Sequence, residues 1–336
     1  MTDAGLDALP PVATASARSA ADIDRLLAGG QPALLKGAID HWPMLAAGRQ
    51  NPIALDTYLL ARDRGAPVPV MEAPPATGGR FGYAPGLRDF SFTKRYRPLG
   101  ETLDRIARAG DHGGTIAIQM LALDQQLPDV ARDNPMPLVP ASAAPKLWLG
   151  GRVRTQIHND RDHNLACVIA GRRRFVLFPP DQVGNLYIGP IDNPPALSLV
   201  DPEAPDLAAF PRFRAALDAA QVAYLGPGDA LLMPKYWWHH VTSLDDYNAM
   251  VNYWWGDQAA GIGNAYDAFL TALLAFKELP AGERDYWRAM LDAYVFAADG
   301  SRIDHLPPAR QGILGPLTPA LRADLMRRLK TAASSS

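Results

Sequence analysis

Between residues 115 and 254 the chain runs in short apolar or alternating stretches separated by turn residues. The pattern predicts strands over 115–121, 146–149, 153–157, 164–170, 174–178, 222–225, 230–233 and 249–254. Gly150, Gly151, Gly171, Pro179, Pro180 and the Gly226 to Asp229 turn punctuate them. Many short strands with such punctuation describe an antiparallel sandwich or barrel. One Pro-rich connection over 189–211 interrupts the run, a length that marks a functional or lineage-specific loop. Upstream, short helices are predicted over 22–27, 55–61 and 99–109, and extended chain over 32–37 and 67–71, with a turn from Asp40 to Pro43. Downstream the period changes to that of helices. Tyr266, Phe269, Leu270, Leu273 and Leu274 share one helical face, and Trp287, Met290, Leu291 and Tyr294 share another. Thr318 and Pro319 cap a third helix carrying Leu321, Leu325 and Leu329. The expected organisation is a frayed, variable lead over 1–30, a catalytic domain over 31–258 and a C-terminal helical region over 259–333.

Composition narrows the classes. A chain of 336 residues with 48% hydrophobic content can bury a substantial core. Its formal net charge of -2 counts against a partner held by a basic surface, so no nucleic acid is expected. No apolar stretch is long enough to span a bilayer, and residues 1–20 hold Asp3 and Asp7 without a cationic segment followed by an apolar one. No membrane association is expected, and the expected location is cytoplasmic; the single Cys167 agrees. Only six of the 33 basic residues are Lys, so the chain uses Arg where other proteins would mix the two.

The candidate chemistry lies in the histidines. Of seven, four fall in two tight clusters: His158 with Asp160, Asp162 and His163, and His239 with His240 behind Trp237 and Trp238. Residues i and i+2 of a strand face one side, so His158 and Asp160 can point together into a barrel. His239 or His240 supplies a third group. Two imidazoles and a carboxylate on one face of a metal leave the opposite positions open, the arrangement used by non-haem Fe(II) oxygenases. The absence of nearby Cys counts against a structural zinc site. A lone His-x-Asp pair is more often a surface feature; the two clusters together point to a metal.

Longer motifs carry a resemblance. Residues 155–160 (TQIHND), Asn164, 171–182 (GRRRFVLFPPDQ), 201–213, 226–240 (through MPKYWWHH) and 252–254 occur in the order of the JmjC/cupin-like hydroxylases of the cupin superfamily. They are most similar to the asparaginyl hydroxylases that act on the hypoxia-inducible factor. The match runs from about residue 30 to 257. It implies a mainly β fold with helices: a double-stranded β-helix (jelly-roll or cupin barrel) with N-terminal α/β elements and a C-terminal helical extension. It also implies Fe(II), with 2-oxoglutarate and O2 as cosubstrates. The implied reaction hydroxylates a C–H bond of a protein or peptide side chain or a small molecule, releasing succinate and CO2.

Carried over by position, the resemblance makes His158, Asp160 and His239 the metal ligands. His240 then faces the other side of its strand. Arg173 stands where the family has a Lys that pairs with the distal carboxylate of 2-oxoglutarate, a task a guanidinium can perform bidentately. Its neighbours Arg172 and Arg174 are expected to be solvated charges. Thr155 matches a hydroxyl on the same carboxylate, Asn164 and Asn252 match polar residues of the pocket, Trp254 an aromatic neighbour, and Gln119 a residue on the approach. Ala117 departs from the pattern, standing where the family has a Tyr that reaches 2-oxoglutarate. Two alternatives therefore stay open: a metal-dependent cupin that does not use 2-oxoglutarate, and a non-enzymatic cupin binding module. Substrate-binding residues do not carry over, and the substrate stays unknown. The related asparaginyl hydroxylases dimerise through C-terminal helices, so a homodimer through 259–333 is expected.

Overall fold

In the computed structural model, which describes residues 5–109, 114–191, 196–256, 264–297 and 301–334, two sheets face each other. The larger runs in the order β1 (Thr14–Ala15), β2 (Ala33–Leu35), β12 (Ala230–Met233), β9 (His163–Ala170), β14 (Asn248–Trp255), β7 (Pro145–Gly150), β6 (Thr115–Ala122), β3 (Val68–Ala73), β5 (Thr93–Arg97). The smaller runs β11 (Gln221–Leu225), β10 (Arg173–Phe178), β13 (Trp238–Ser243), β8 (Arg154–Asn159), β4 (Arg80–Phe81). Pairing is antiparallel except for β1 with β2 and β4 with β8. This is the expected jelly-roll, with helices laid outside it.

Strand alternation sorts the core into layers. On β9, Ala166 and Val168 face inward, where they meet Phe175 and Leu177 of β10, Val241 of β13, and Leu231 and Met233 of β12. The alternate residues Leu165, Cys167 and Ile169 face outward. There they pack with Ile23 of the helix Ala20–Ala28, Met44 and Leu45 of Pro43–Gln50, Leu55 and Leu59 of Pro52–Leu60, and Leu103 and Ile106 of Leu99–Ala107. Behind the smaller sheet, Ile157, Val176, Phe178 and Trp238 pack on Leu186, Val200 and Phe213 from the 179–218 connection. A period of two with both faces buried gives nearly continuous apolar runs in these strands. Gly171 makes the β9–β10 turn at a φ of 68°, where a Cβ would lie 2.4 Å from the Tyr247 carbonyl oxygen.

Three expectations need revision. The lead over 1–30 is not simply frayed: Leu6 and Val12 are buried, and Pro11 bridges Val222 at the edge of β11. The turn expected at Asp40 to Pro43 lies slightly earlier, over Lys36 to His41, and Pro43 already sits in the first turn of the helix Pro43–Gln50. Strand β5 was not expected at all, because its residues are mostly exposed and charged.

The chain divides into two compact units, 1–256 and 257–336. The second holds the helices Ala265–Phe276, Ala281–Tyr294 and Pro319–Ser334. No described residue of its first two helices is buried. Among the described residues no helix is long and apolar enough to cross a membrane.

Candidate metal centre

The site is assembled where β8 ends beside the start of β13. His239 pairs with His158 across the two strands, and antiparallel partners share a face. Asp160 follows two residues beyond His158 and returns to that face. Tyr236, at a φ of 72°, closes the junction: its N–H donates to the Asp160 carbonyl over 2.9 Å. A non-glycine residue held there costs roughly 1–3 kcal/mol, a strain typical of functional sites. His163 lies apart from the centre: its Nδ1 accepts from the Lys235 N–H at 3.1 Å and so holds the same turn.

One ligand atom from each of His158, Asp160 and His239 lies within 4.8 Å of the others, and this is the only such metal-capable group found among the described residues. The Nδ1 atoms of His158 and His239 each lie at a backbone oxygen, Gln156 O at 2.8 Å and Trp237 O at 3.1 Å. Both Nε2 atoms are thereby left to face the centre, since the partner of one ring nitrogen sets the role of the other. Asp160 Oδ2 accepts from Trp254 Nε1 at 2.9 Å and Asn164 Nδ2 at 3.0 Å. The chain of donors continues from Asn252 to Asn164 at 3.3 Å and from Trp148 Nε1 to Asn252 at 2.7 Å. Asn164, Asn252 and Trp254 therefore form one hydrogen-bonded line that aims the carboxylate.

The protonation states fit a cation. Burial, helped by the neighbouring His158, pushes His239 down to about 4, so its imidazole is neutral. Burial works to raise Asp160, but His239, His158 and the two hydrogen bonds outweigh it and hold its carboxyl below the usual range. A neutral imidazole at His239 and an ionised carboxylate at Asp160 are forms a divalent cation requires of its ligands. The donor set suits iron, manganese or zinc, and the absence of thiolates separates it from structural zinc.

Arg173 stands on the same inner face. The partners Leu177 with His239, Phe175 with Val241 and Arg173 with Ser243 follow one another along β10 and β13. Its side chain is buried, its Nε has no acceptor, and among the described residues no carboxylate pairs with it. Burial alone pushes its guanidinium down to about 10. A buried cation without an anion beside it carries a desolvation cost that an anionic ligand would offset. Arg172 is exposed and paired with Asp245. Arg174 is not the solvated charge expected. It lies on the outer face, only 11% exposed at the side chain, bound to Asp7 and Glu203. The covering N-terminal segment and the 179–218 connection account for the difference.

Thr155 reaches the inner face through a bulge. Three steps on β8, from His158 to Thr155, oppose two on β13, from His239 to Val241. Its hydroxyl donates to the Val241 carbonyl at 3.3 Å. Gln119 is buried on β6, two strands from β14, and makes no hydrogen bond to the triad among the described residues. Ala117 is buried against Ala73, Phe81 and Val153 and brings no polar side-chain atom. Trp148 and Tyr236 escaped the sequence reading. Alternation on β7 would have turned Trp148 inward, but nothing local announces the strain at Tyr236.

Comparison with known proteins agrees with this geometry. The family model described as a cupin-like domain matches residues 19–261. Jumonji C domain-containing protein 5 of Drosophila melanogaster is 31% identical over 243 residues, covering 67% of this chain and 55% of that protein. The human bifunctional peptidase and (3S)-lysyl hydroxylase JMJD7 is 27% identical over 259 residues, covering 67% of this chain and 77% of that protein. Lysine-specific demethylase JMJ31 of Arabidopsis thaliana is 38% identical over 110 residues, 32% of this chain and 20% of that protein. The chain thus spans from a fifth to about half of the first and last of these three by length. With a barrel of two facing sheets, a His-Asp-His group at one junction and a family match over most of its length, the chain belongs to the JmjC/cupin-like family.

Proposed function

We propose that this protein is an Fe(II)- and 2-oxoglutarate-dependent oxygenase that hydroxylates a C–H bond, releasing succinate and CO2. The observation that carries the reading is the pairing of a three-ligand His158, Asp160 and His239 group with an anion-seeking Arg173 on one inner sheet face. His158, Asp160 and His239 would hold the iron and leave its remaining positions open. Arg173 would pair with the distal carboxylate of 2-oxoglutarate and Thr155 would hydrogen-bond it. Bound Fe(II) would supply the O2 chemistry that couples oxidative decarboxylation of 2-oxoglutarate to C–H oxidation. The protein's part is ligand geometry, orientation and a site walled by Phe175, Leu177 and Val241. The names of two relatives, a lysine-specific demethylase and a (3S)-lysyl hydroxylase, support a protein side chain as substrate over a small molecule.

Anaerobic titration tests this. Fe(II)-loaded protein is expected to develop a visible charge-transfer band on addition of 2-oxoglutarate. Iron bound without that band would favour a cupin enzyme that does not use 2-oxoglutarate, the reading that Ala117 suggests. No iron bound at all would favour a non-enzymatic binding module.

The same reading includes a homodimer through the C-terminal helices. Leu274 is 90% exposed and Phe296 71%, and Phe269, Trp287 and Tyr294 of the same region are exposed as well. Apolar patches of this kind mark interaction surfaces, and a two-fold dimer covers one with its own copy. Light scattering is expected to give roughly twice the 36.3 kDa chain mass. Leu291→Arg or Leu325→Arg should lower it; a wild-type monomer at high micromolar concentration would defeat the dimer.

A further inference from the structure

Each strand that brings a functional residue to the inner face presents its neighbour to the outer face, and there the neighbours meet one short segment of the long connection. Glu203 Oε1 accepts from Arg174 Nη2, from Thr242 Oγ1 at 2.8 Å, and is 3.1 Å from His240 Nε2. Arg174 adjoins Arg173 on β10, and His240 adjoins His239 on β13. Two residues earlier, Asp201 accepts from the Glu203 N–H at 3.1 Å and stands 3.7 Å from Arg154, the neighbour of Thr155 on β8. One segment therefore touches the back of all three strands that carry the site. Arg174 and His240 are 11% and 3% exposed at the side chain, so the contacts are shielded from water and salt.

We propose that Glu203 is a positioning residue, gripping β10 and β13 from behind and setting the presentation of Arg173 and His239. The inference rests on His239 as a metal ligand and Arg173 as the carboxylate partner. Burial opposes the ionised form of Glu203, but His240, Arg174 and Thr242 together hold its carboxyl well below the ordinary range. Each β-strand residue is rigidly coupled to its neighbour on the other face, so a pull on the outer side chain reorients the inner one. A purely structural ion pair would contribute stability without affecting the ligand set.

The test compares Glu203→Gln, Glu203→Asp and Thr242→Val with Asp133→Asn. The last removes a partly buried pair with Arg62 outside the barrel. Thermal melts, Co(II) titration with its d–d spectrum, and histidine-ring NMR of the metal-free protein are read on the full chain. Glu203→Gln is expected to weaken Co(II) by up to about 10-fold, the low end of the range for direct partners of metal ligands, because Glu203 acts one residue removed from His239. It should also alter the spectrum and move the His239 ring signals. Glu203→Asp should recover part of the loss, and Thr242→Val, the mildest change, should shift the same signals by less. Wild-type Co(II) affinity and unmoved His239 signals in Glu203→Gln would overturn the proposal. So would a metal loss no larger than that of Asp133→Asn at equal stability. Failure of the wild type to bind Co(II) would instead overturn the metal-centre reading, and the His239 signals would still decide the role of Glu203.

Discussion

Metal analysis of Asp160→Ala is expected to show a protein that purifies without iron and binds added Fe(II) more than 100-fold more weakly than wild type. The loss should exceed the roughly 10–100-fold attached to a ligand's supporting partners, because a ligand itself is removed. Three effects act together. The carboxylate that neutralises the cation is gone, Trp254 Nε1 and Asn164 Nδ2 lose their acceptor, and two imidazoles with centroids 4.3 Å apart are left to hold a dication alone. His158→Ala and His239→Ala should behave alike. His163→Ala should still purify with metal, because its ring holds the Lys235 turn; His240→Ala removes no ligand and should also retain metal, with an affinity lowered no more than in Glu203→Gln. Full iron occupancy in Asp160→Ala or His158→Ala would show that the ligand set is misassigned.

The second large effect concerns Arg173 and has two signatures of opposite sign. In the protein without cosubstrate, this cation is buried with no anion beside it, and its depression to about 10 corresponds to a cost on the order of 3 kcal/mol. Arg173→Met keeps the apolar stem and removes the charge, so the ligand-free variant should melt no lower than wild type. With 2-oxoglutarate and Mn(II) present, the wild type gains stability by mass action and the variant does not. Leaving the bound carboxylate unpaired costs roughly 3–5 kcal/mol, or about 10²–10³-fold or more in affinity. Arg172→Met, which breaks only the exposed pair with Asp245, should bind as wild type. Unchanged affinity in Arg173→Met alongside a loss in Arg172→Met would place the cosubstrate cation one residue away.

Much of the barrel was legible in the chain because its strands obey a local rule. Alternation divides 165, 167 and 169 from 166 and 168 whatever they pack against, and turn residues at 150, 171, 179 and 226 set the boundaries to within a residue or two. The i and i+2 relation of His158 and Asp160 is equally local. What the chain left open depends on partners distant in sequence. Alternation says that one of His239 and His240 faces inward but not which; pairing of His239 with His158 and Leu177 decides it. Thr155 and His158 are three apart and would face opposite sides of a regular strand. Only the bulge against β13 brings them together, and a bulge is a property of two strands. Strand β5, with Lys94, Arg95 and Arg97, has no apolar signal because an edge strand can satisfy its side chains in water and needs only β3 to form. Arg174 read as one more charge among three arginines. Its burial depends on Asp7 and Glu203, 167 and 29 residues away, which the folded chain alone brings within hydrogen-bond reach.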